Sequence, residues 1–380
     1  MRPATTNEKK LVAKDLFGAE EKLHSSSTYF QIYDRLTSPQ YATVQVHPSA
    51  LNSHDDIRRL ALELRANPQS TREEFRAKVF PNVSTDPEVV IDQERAINVA
   101  VQITLMIDCT DKDRHYEGYE IGGFRPVSWD SSEQFADFVK KVFPIDIHDQ
   151  EQVRTALKEK NALKCWKLRK RAHIKFLPTD NIAEHLLYDP RDNVVRLFRQ
   201  TAFLKAHLRL SASQPIELGI TESLKVGTLP PQLLLETLHS LQCILFPPAD
   251  EKSSRFLENI IQDTEPNFDS DCLLYEGYSR PVPENFEYHY WGDRLATLNY
   301  LVTHPRSSHR IGQWIQRNAS ERNALSVAIL SLVLSAFFGF LSVILGVFQA
   351  WVAYMSWKAQ VNAPQAPSYV DLGCAGGPAN

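Results

Sequence analysis

The sequence predicts a mainly α protein with a few short strands, built as a soluble helical domain followed by one C-terminal transmembrane helix. Three observations lead there. Helix start and stop signals recur along most of the chain. One block of strand-forming residues, IKFLP and VVRLF, interrupts them. Finally, residues 324–357 include no Asp, Glu, Lys, Arg or His, and a helix crosses a bilayer with only about 20 apolar residues.

Taken in order, residues 1–45 are polar and turn-rich and read as a flexible N-terminal segment. Residues 46–312 read as a cytosolic, mostly helical domain, with a division expected near 145–180. Asp55 and Asp56 cap a helix through LALELRA, which Asn67-Pro68 stops. Ser70 with Glu73 makes a capping box for REEFRAKVF, ended by Pro81. Asp86-Pro87 opens EVVIDQERAINVAVQITLMI, whose spread of apolar positions reads as a buried helix, although its β-branched end also suits a strand.

Asp130 with Glu133 begins SSEQFADFVKKVF, closed by Pro144. Asp149 with Gln152 starts a further helix, and its apolar period breaks near Asn161, where a second short helix begins. The strands IKFLP and VVRLF flank a small helix at NIAEHLLY, with a turn at residues 189–193. Helices follow at FLKAHLRL and at PPQLLLETLHSLQCILF, the latter with Pro230 in its first turn and Pro247-Pro248 at its end.

The apolar run carries its own topology signals. Arg306, Arg310, Arg317 and Arg322 precede it and Lys358 alone follows, which places the N-terminal side in the cytosol. Trp351, Tyr354 and Trp357 cluster at the far end as interfacial aromatics do. With residues 358–380 as a short disordered tail, the pattern is single-pass and tail-anchored, and its length favours endoplasmic reticulum or other secretory-pathway membranes. As one helix the run reaches about 50 Å against a hydrocarbon core of about 30 Å, so it either tilts or bends near Gly339 or Gly346 into a hairpin. Small residues at Ala328, Ser331, Ser335, Gly339, Ser342, Gly346 and Ala350 fall along one side. Such a stripe suits a homo-oligomer or another membrane protein, and is equally common in membrane helices generally.

Elsewhere the sequence excludes more than it assigns. With 42 Lys and Arg against 46 Asp and Glu, the net charge of −4 argues against nucleic acid as a partner. The first 20 residues have no apolar core and are no secretory signal. Cys109, Cys165, Cys243, Cys272 and Cys374 form no CxxC pair and read as reduced thiols, mostly buried. No GxSxG, HExxH, GxxxxGK[ST] or helix-opening GxGxxG occurs, and Gly122-Gly123 is a lone pair. The run itself carries no ionisable group of the kind that marks a transport path.

The densest charge feature is Lys164, Lys167, Arg169, Lys170 and Arg171, interleaved with Trp166 and Leu168. Lys164, Lys167, Lys170 and Arg171 are candidates for contact with anionic lipid, worth about 1 kcal/mol each, against the plainer reading of a solvated helix face. Asp146, His148 and Asp149 lie close together but are too few for a metal site, so no metal or cofactor is expected. His304 and His309 sit just before the apolar run. The sequons at Asn82 and Asn318 would be unmodified in a cytosolic domain.

The stretches LRKRAHIKFLPTDNIAEHLLYDPRDNVVRLFRQTAFLKAHLRL, YHYWGDRLATL and GVFQAWVAYMSW resemble a group of uncharacterised filamentous-fungal proteins. The resemblance runs from about residue 124 to residue 358, with residues 291–298 and 348–357 its most specific part. It implies a fungal source, a cytosolic domain with a C-terminal membrane segment and, for some members, a place beside secondary-metabolite pathways. It lends no activity and no site residue. The expected function is a membrane-anchored, cytosol-facing binding or scaffolding module, with membrane lipid as one partner. The alternative is a membrane-tethered enzyme or accessory factor of a secondary-metabolite pathway.

Overall fold

A computed structural model describes residues 1–18, 28–38, 48–81, 86–109, 120–122, 124–145, 149–263, 268–275, 280–304 and 324–361. It divides into two units, Met1–Pro305 and Arg306–Asn380.

In the first unit, helices α1 (Thr6–Phe17) and α2 (Thr28–Thr37) occupy part of the stretch that the sequence reads as flexible. In α1 the Thr5 side chain accepts from the Glu8 amide and Glu8 returns the bond, while Val12, Ala13, Leu16 and Phe17 are buried. In α2, Tyr29, Phe30, Ile32, Tyr33 and Leu36 are buried. The polar average of this segment hides two amphipathic stripes, and the apolar stripe is what docks a helix.

Helix α3 (His54–Ala66) starts from Ser53, with Asp56 closing the capping box, rather than from Asp55. Helix α4 (Arg72–Val79) starts from Thr71 with Glu74, one residue later than expected. Helix α5 (Pro87–Leu105) follows its Asp86 cap as expected, and its β-branched end remains helical until Met106 turns left-handed. Helix α6 (Phe135–Val142) is shorter than expected, because Asp130 and Glu133 pair within a turn ahead of it. Helix α7 (Gln150–Lys158) is capped by Asp149. A 3₁₀ turn at Lys160–Ala162 then leads to α8 (Cys165–Ala172).

The small sheet comprises β1 (Lys175–Thr179), β2 (Leu187–Asp189) and β3 (Val194–Phe198) in the order β1-β3-β2. Strand β1 runs parallel to β3, and β2 antiparallel to it. The segment NIAEHLLY is therefore one 3₁₀ turn, Ile182–Glu184, followed by a strand. Leu186 has φ +59, which no helix accommodates.

Helices α9 (Thr201–Leu210), α10 (Ile220–Val226), α11 (Pro231–His239), α12 (Glu251–Asp263) and α13 (Gly292–Thr303) complete the unit. Of these, α10, α12 and α13 go beyond the elements the sequence predicts. Every α11 residue from Pro231 to Leu238 is buried, so this helix forms the centre of the body, and it continues through a π-helical turn at Ser240–Leu245. One hydrophobic cluster reaches from Val12 in α1 to Val302 in α13.

Helix α14 (Ala324–Val361) is one continuous helix that passes through Gly339 and Gly346 without turning back. Its 28-residue window Ser331–Lys358 is long and apolar enough to cross a membrane. Leu332, Phe337, Phe340, Val347 and Phe348 are all exposed, whereas the core helix of a soluble protein would bury such side chains.

Polar bonds hold the N-terminal helices to the body. Asp180 accepts from Arg199 Nε at 2.6 Å, Gln200 Nε2 at 2.9 Å and Arg35 Nη2 of α2 at 2.8 Å. Arg199 is 1% exposed. Replacing Asp180 by Ala takes this carboxylate away from a buried guanidinium, at an expected cost of about 3–5 kcal/mol. Chemical unfolding of the purified chain measures it; a loss under 1 kcal/mol would mean that Arg199 finds another partner.

Candidate functional site

A cleft of about 650 Å³ opens in the first unit between β2, the end of α6, the segment around Phe124 and the start of α13. Phe124, Tyr188, Tyr290 and Trp291 supply aromatic surface, and Val127, Val142, Leu186 and Leu187 supply aliphatic surface. Its charged lining residues are Arg125, Lys141, Asp293 and Arg294.

Two local devices shape it. Ile121 and Phe124 pair through reciprocal backbone bonds of 2.9 and 2.8 Å, which aims this tight hairpin at β2. Gly122 lies at its tip with φ +52, and a Cβ there would fall 2.1 Å from the Tyr188 carbonyl oxygen. Only glycine allows this approach.

The opposite wall depends on Glu236 of α11, which is wholly buried. Its carboxylate accepts from the backbone N–H of His289, Tyr290 and Trp291 and from Gln232 Nε2. These amides lead directly into α13, so a carboxylate on one helix caps the entry to another. Trp291 Nε1 donates to Thr237 Oγ1 at 2.8 Å and locks the indole. Burial pushes the Glu236 carboxyl up to about 7, with its N–H donors acting against that shift.

Arg294, on the first turn of α13, is half-buried. Its Nη1 donates to the carbonyls of Ala183 and His185. Its guanidinium lies 4.7 Å from the Trp291 ring centroid and 5.5 Å from that of Phe124. Burial lowers its pKa to about 10, since the nearby Glu184 only partly offsets the desolvation. Among the described residues no carboxylate forms an ion pair with it. The other two cations are already engaged: Lys141 with Glu133 at 3.1 Å and Arg125 with Glu120 at 2.9 Å.

Behind this wall a histidine and a serine meet in an arrangement that looks catalytic. His185 Nε2 lies 2.7 Å from Ser240 Oγ. The Phe198 N–H donates to His185 Nδ1, so the ring proton sits on Nε2 and is donated to the serine oxygen. The Ser240 hydroxyl in turn donates to the Thr237 carbonyl at 2.8 Å. A base would need the opposite polarity, and both side chains are wholly buried. The pair is a structural clip.

The residues singled out in the sequence lie elsewhere. Lys164 precedes α8 and is bound to Asp250 at 2.8 Å, with its side chain 17% exposed. Lys167 donates to the Asn161 carbonyl and lies over the Trp166 ring. Lys170 and Arg171 are exposed at the end of α8. In α14, Ser331, Ser335, Gly339, Ser342 and Gly346 are exposed. Asp149 caps α7, while Asp146, His148, His309, Cys374, Asn82 and Asn318 lie outside the described residues. His304 stacks on Tyr300. Among the described residues, Cys109, Cys165, Cys243 and Cys272 form no disulfide. No motif in the sequence marks the cleft residues, although the aromatic run Tyr288, Tyr290 and Trp291 directly before Asp293 and Arg294 is a signal of the right kind.

Compared with models of protein families, with curated proteins and with solved structures, the chain matches none.

Glu236 makes the body pH-sensitive. Below the ordinary glutamate value of 4.5 both folded and unfolded states hold the proton. As pH rises the unfolded state releases it first, so this contribution to stability is lost as pH climbs through about 7. The wild type should therefore lose stability relative to Glu236→Gln between about pH 5 and 8. Melting both proteins across that range tests the sign; parallel curves would mean that Glu236 stays ionised in the folded state.

Proposed function

We propose that this protein is a membrane-anchored binding module, with α14 fixed in a bilayer and the Met1–Pro305 body holding a small ligand in its cleft. The observation that carries the reading is an exposed apolar helix, uncharged from residue 324 to residue 357, on a chain that also folds a substantial body. A lipid-facing helix satisfies its backbone internally and needs only apolar side chains outside. The cleft supports the second half of the reading, since its volume lies within the range of about 300–1,000 Å³ usual for small-molecule sites.

Arginines before the helix against Lys358 after it favour a cytosolic body. Lys170 and Arg171 are the members of the basic cluster best exposed for anionic lipid. The face bearing Ser331, Ser335, Gly339, Ser342 and Gly346 suits close helix pairing, in a homo-oligomer or with another membrane protein. Binding is preferred over catalysis because the described lining residues pair no nucleophile with a base. Asp293 is the one carboxylate among its described lining residues.

A C-terminal glycosylation acceptor combined with a carbonate wash tests the anchor. The full chain should resist the wash and become glycosylated, and deletion of residues 324–361 should release it to the soluble fraction. Carbonate extraction of the full chain would remove the anchor from the reading.

A further inference from the structure

The Arg294 guanidinium has five N–H donors in a planar fork, and its surroundings account for only part of them. The two hydrogens of Nη1 go to the carbonyls of Ala183 and His185. Trp291 and Phe124 lie against the guanidinium at 4.7 and 5.5 Å. What remains is the edge formed by Nε and Nη2, whose hydrogens reach no acceptor among the described residues. Arg294 lines the cleft.

Such an edge presents two parallel N–H groups, the geometry that carboxylate and phosphate oxygens accept in bidentate fashion. The carbonyl contacts and the aromatic neighbours hold the fork in place before any ligand arrives, so little side-chain entropy remains to be lost on binding. Neutral acceptors would leave the positive charge uncompensated in a half-buried site, which is costly. The rest of the lining says what must be attached to the anion. Tyr188, Tyr290, Leu187 and Val127 offer ring faces and aliphatic surface. The further cations at the rim, Arg125 and Lys141, are neutralised by Glu120 and Glu133 and so call for no second anionic group.

We propose that the Nε/Nη2 edge of Arg294 is the anion-binding point of the cleft, and that its ligand is a single oxyanion, carboxylate or phosphate, carried on an apolar, ring-bearing body. This deepens the binding-module reading and rests on the cleft being the site. The oxyanion belongs either to a soluble metabolite or to a lipid headgroup, and the two sources share the same recognition chemistry.

Titration calorimetry on the full chain in phosphatidylcholine nanodiscs tests it, with 2-naphthoate, 2-naphthyl phosphate, the neutral 2-naphthalenemethanol and inorganic phosphate as probes. The two ring-bearing anions should bind about 10–100-fold tighter than the alcohol, the range expected for charge-assisted bonds, and inorganic phosphate should bind weakly. Arg294→Lys keeps a cation near the carbonyls of Ala183 and His185 but has no fork, and should lose at least about 10-fold for both anions. Arg294→Gln should lose more, with circular dichroism melting to show that it folds. The remote surface variant Arg255→Gln should bind as the wild type does.

Phosphatidic acid added to the nanodiscs separates the sources. Competition with 2-naphthyl phosphate assigns the oxyanion to a lipid, and no competition assigns it to a soluble molecule; both uphold the proposal. If the alcohol binds as tightly as the acids, or Arg294→Lys changes nothing, the cleft remains a binding site and the oxyanion inference is overturned. If no probe saturates the wild-type protein, the cleft reading falls with it.

Discussion

The buried carboxylate of Glu236 is the interaction on which the C-terminal part of the body depends. It lies on the central helix α11, and through four N–H donors it fixes the backbone of residues 289–291 and the side chain of Gln232. Without it, three consecutive amides would be orphaned inside the protein, each at a cost comparable to a lost hydrogen bond. With it, the chain enters α13 along one path. Trp291 is locked on Thr237, and Arg294 follows one turn later between the carbonyls of residues 183 and 185. The cleft wall is therefore built outward from a single acid on the core helix.

Similar logic recurs wherever distant segments meet. Asp180 gathers Arg199, Gln200 and Arg35, and so ties α2 to the end of β3. Asp250 joins Lys164 and Trp166 to the start of α12, where it also bonds Ser253. Its carboxyl is held well below the usual range, chiefly by Lys164. Each acid satisfies donors that burial would otherwise strand, and a buried charge is tolerated only where it is paired and hydrogen-bonded.

That economy explains which functional readings were legible. The basic cluster of residues 164–171 stands out in the sequence, yet Lys164 is committed to Asp250, a partner 86 residues away. Arg294 attracts no attention in the sequence because one arginine beside an aspartate is ordinary. Its distinction lies in what it does not pair with, which depends on β2, the hairpin at Phe124 and α13 coming together. Gly122 is the same kind of case. As one of a lone glycine pair it means little, and its role follows from a close approach to the Tyr188 carbonyl, present only in the folded chain, that leaves no room for a Cβ.

From the sequence alone come the long apolar C-terminal helix, the mainly helical class, and the strands β1 and β3. Each rests on local rules: an unbroken apolar run, capping residues near their amides, and short β-branched blocks between turns. Tertiary structure decided the rest. It recruited α1 and α2 to the core through stripes that a polar average concealed, turned residues 187–189 into an antiparallel strand against β3, and settled which charges are spent and which remain open to a ligand. The physical reason is common to all three. Burial and charge pairing are relations between residues far apart in the chain, and neither periodicity nor spacing encodes who the partner is.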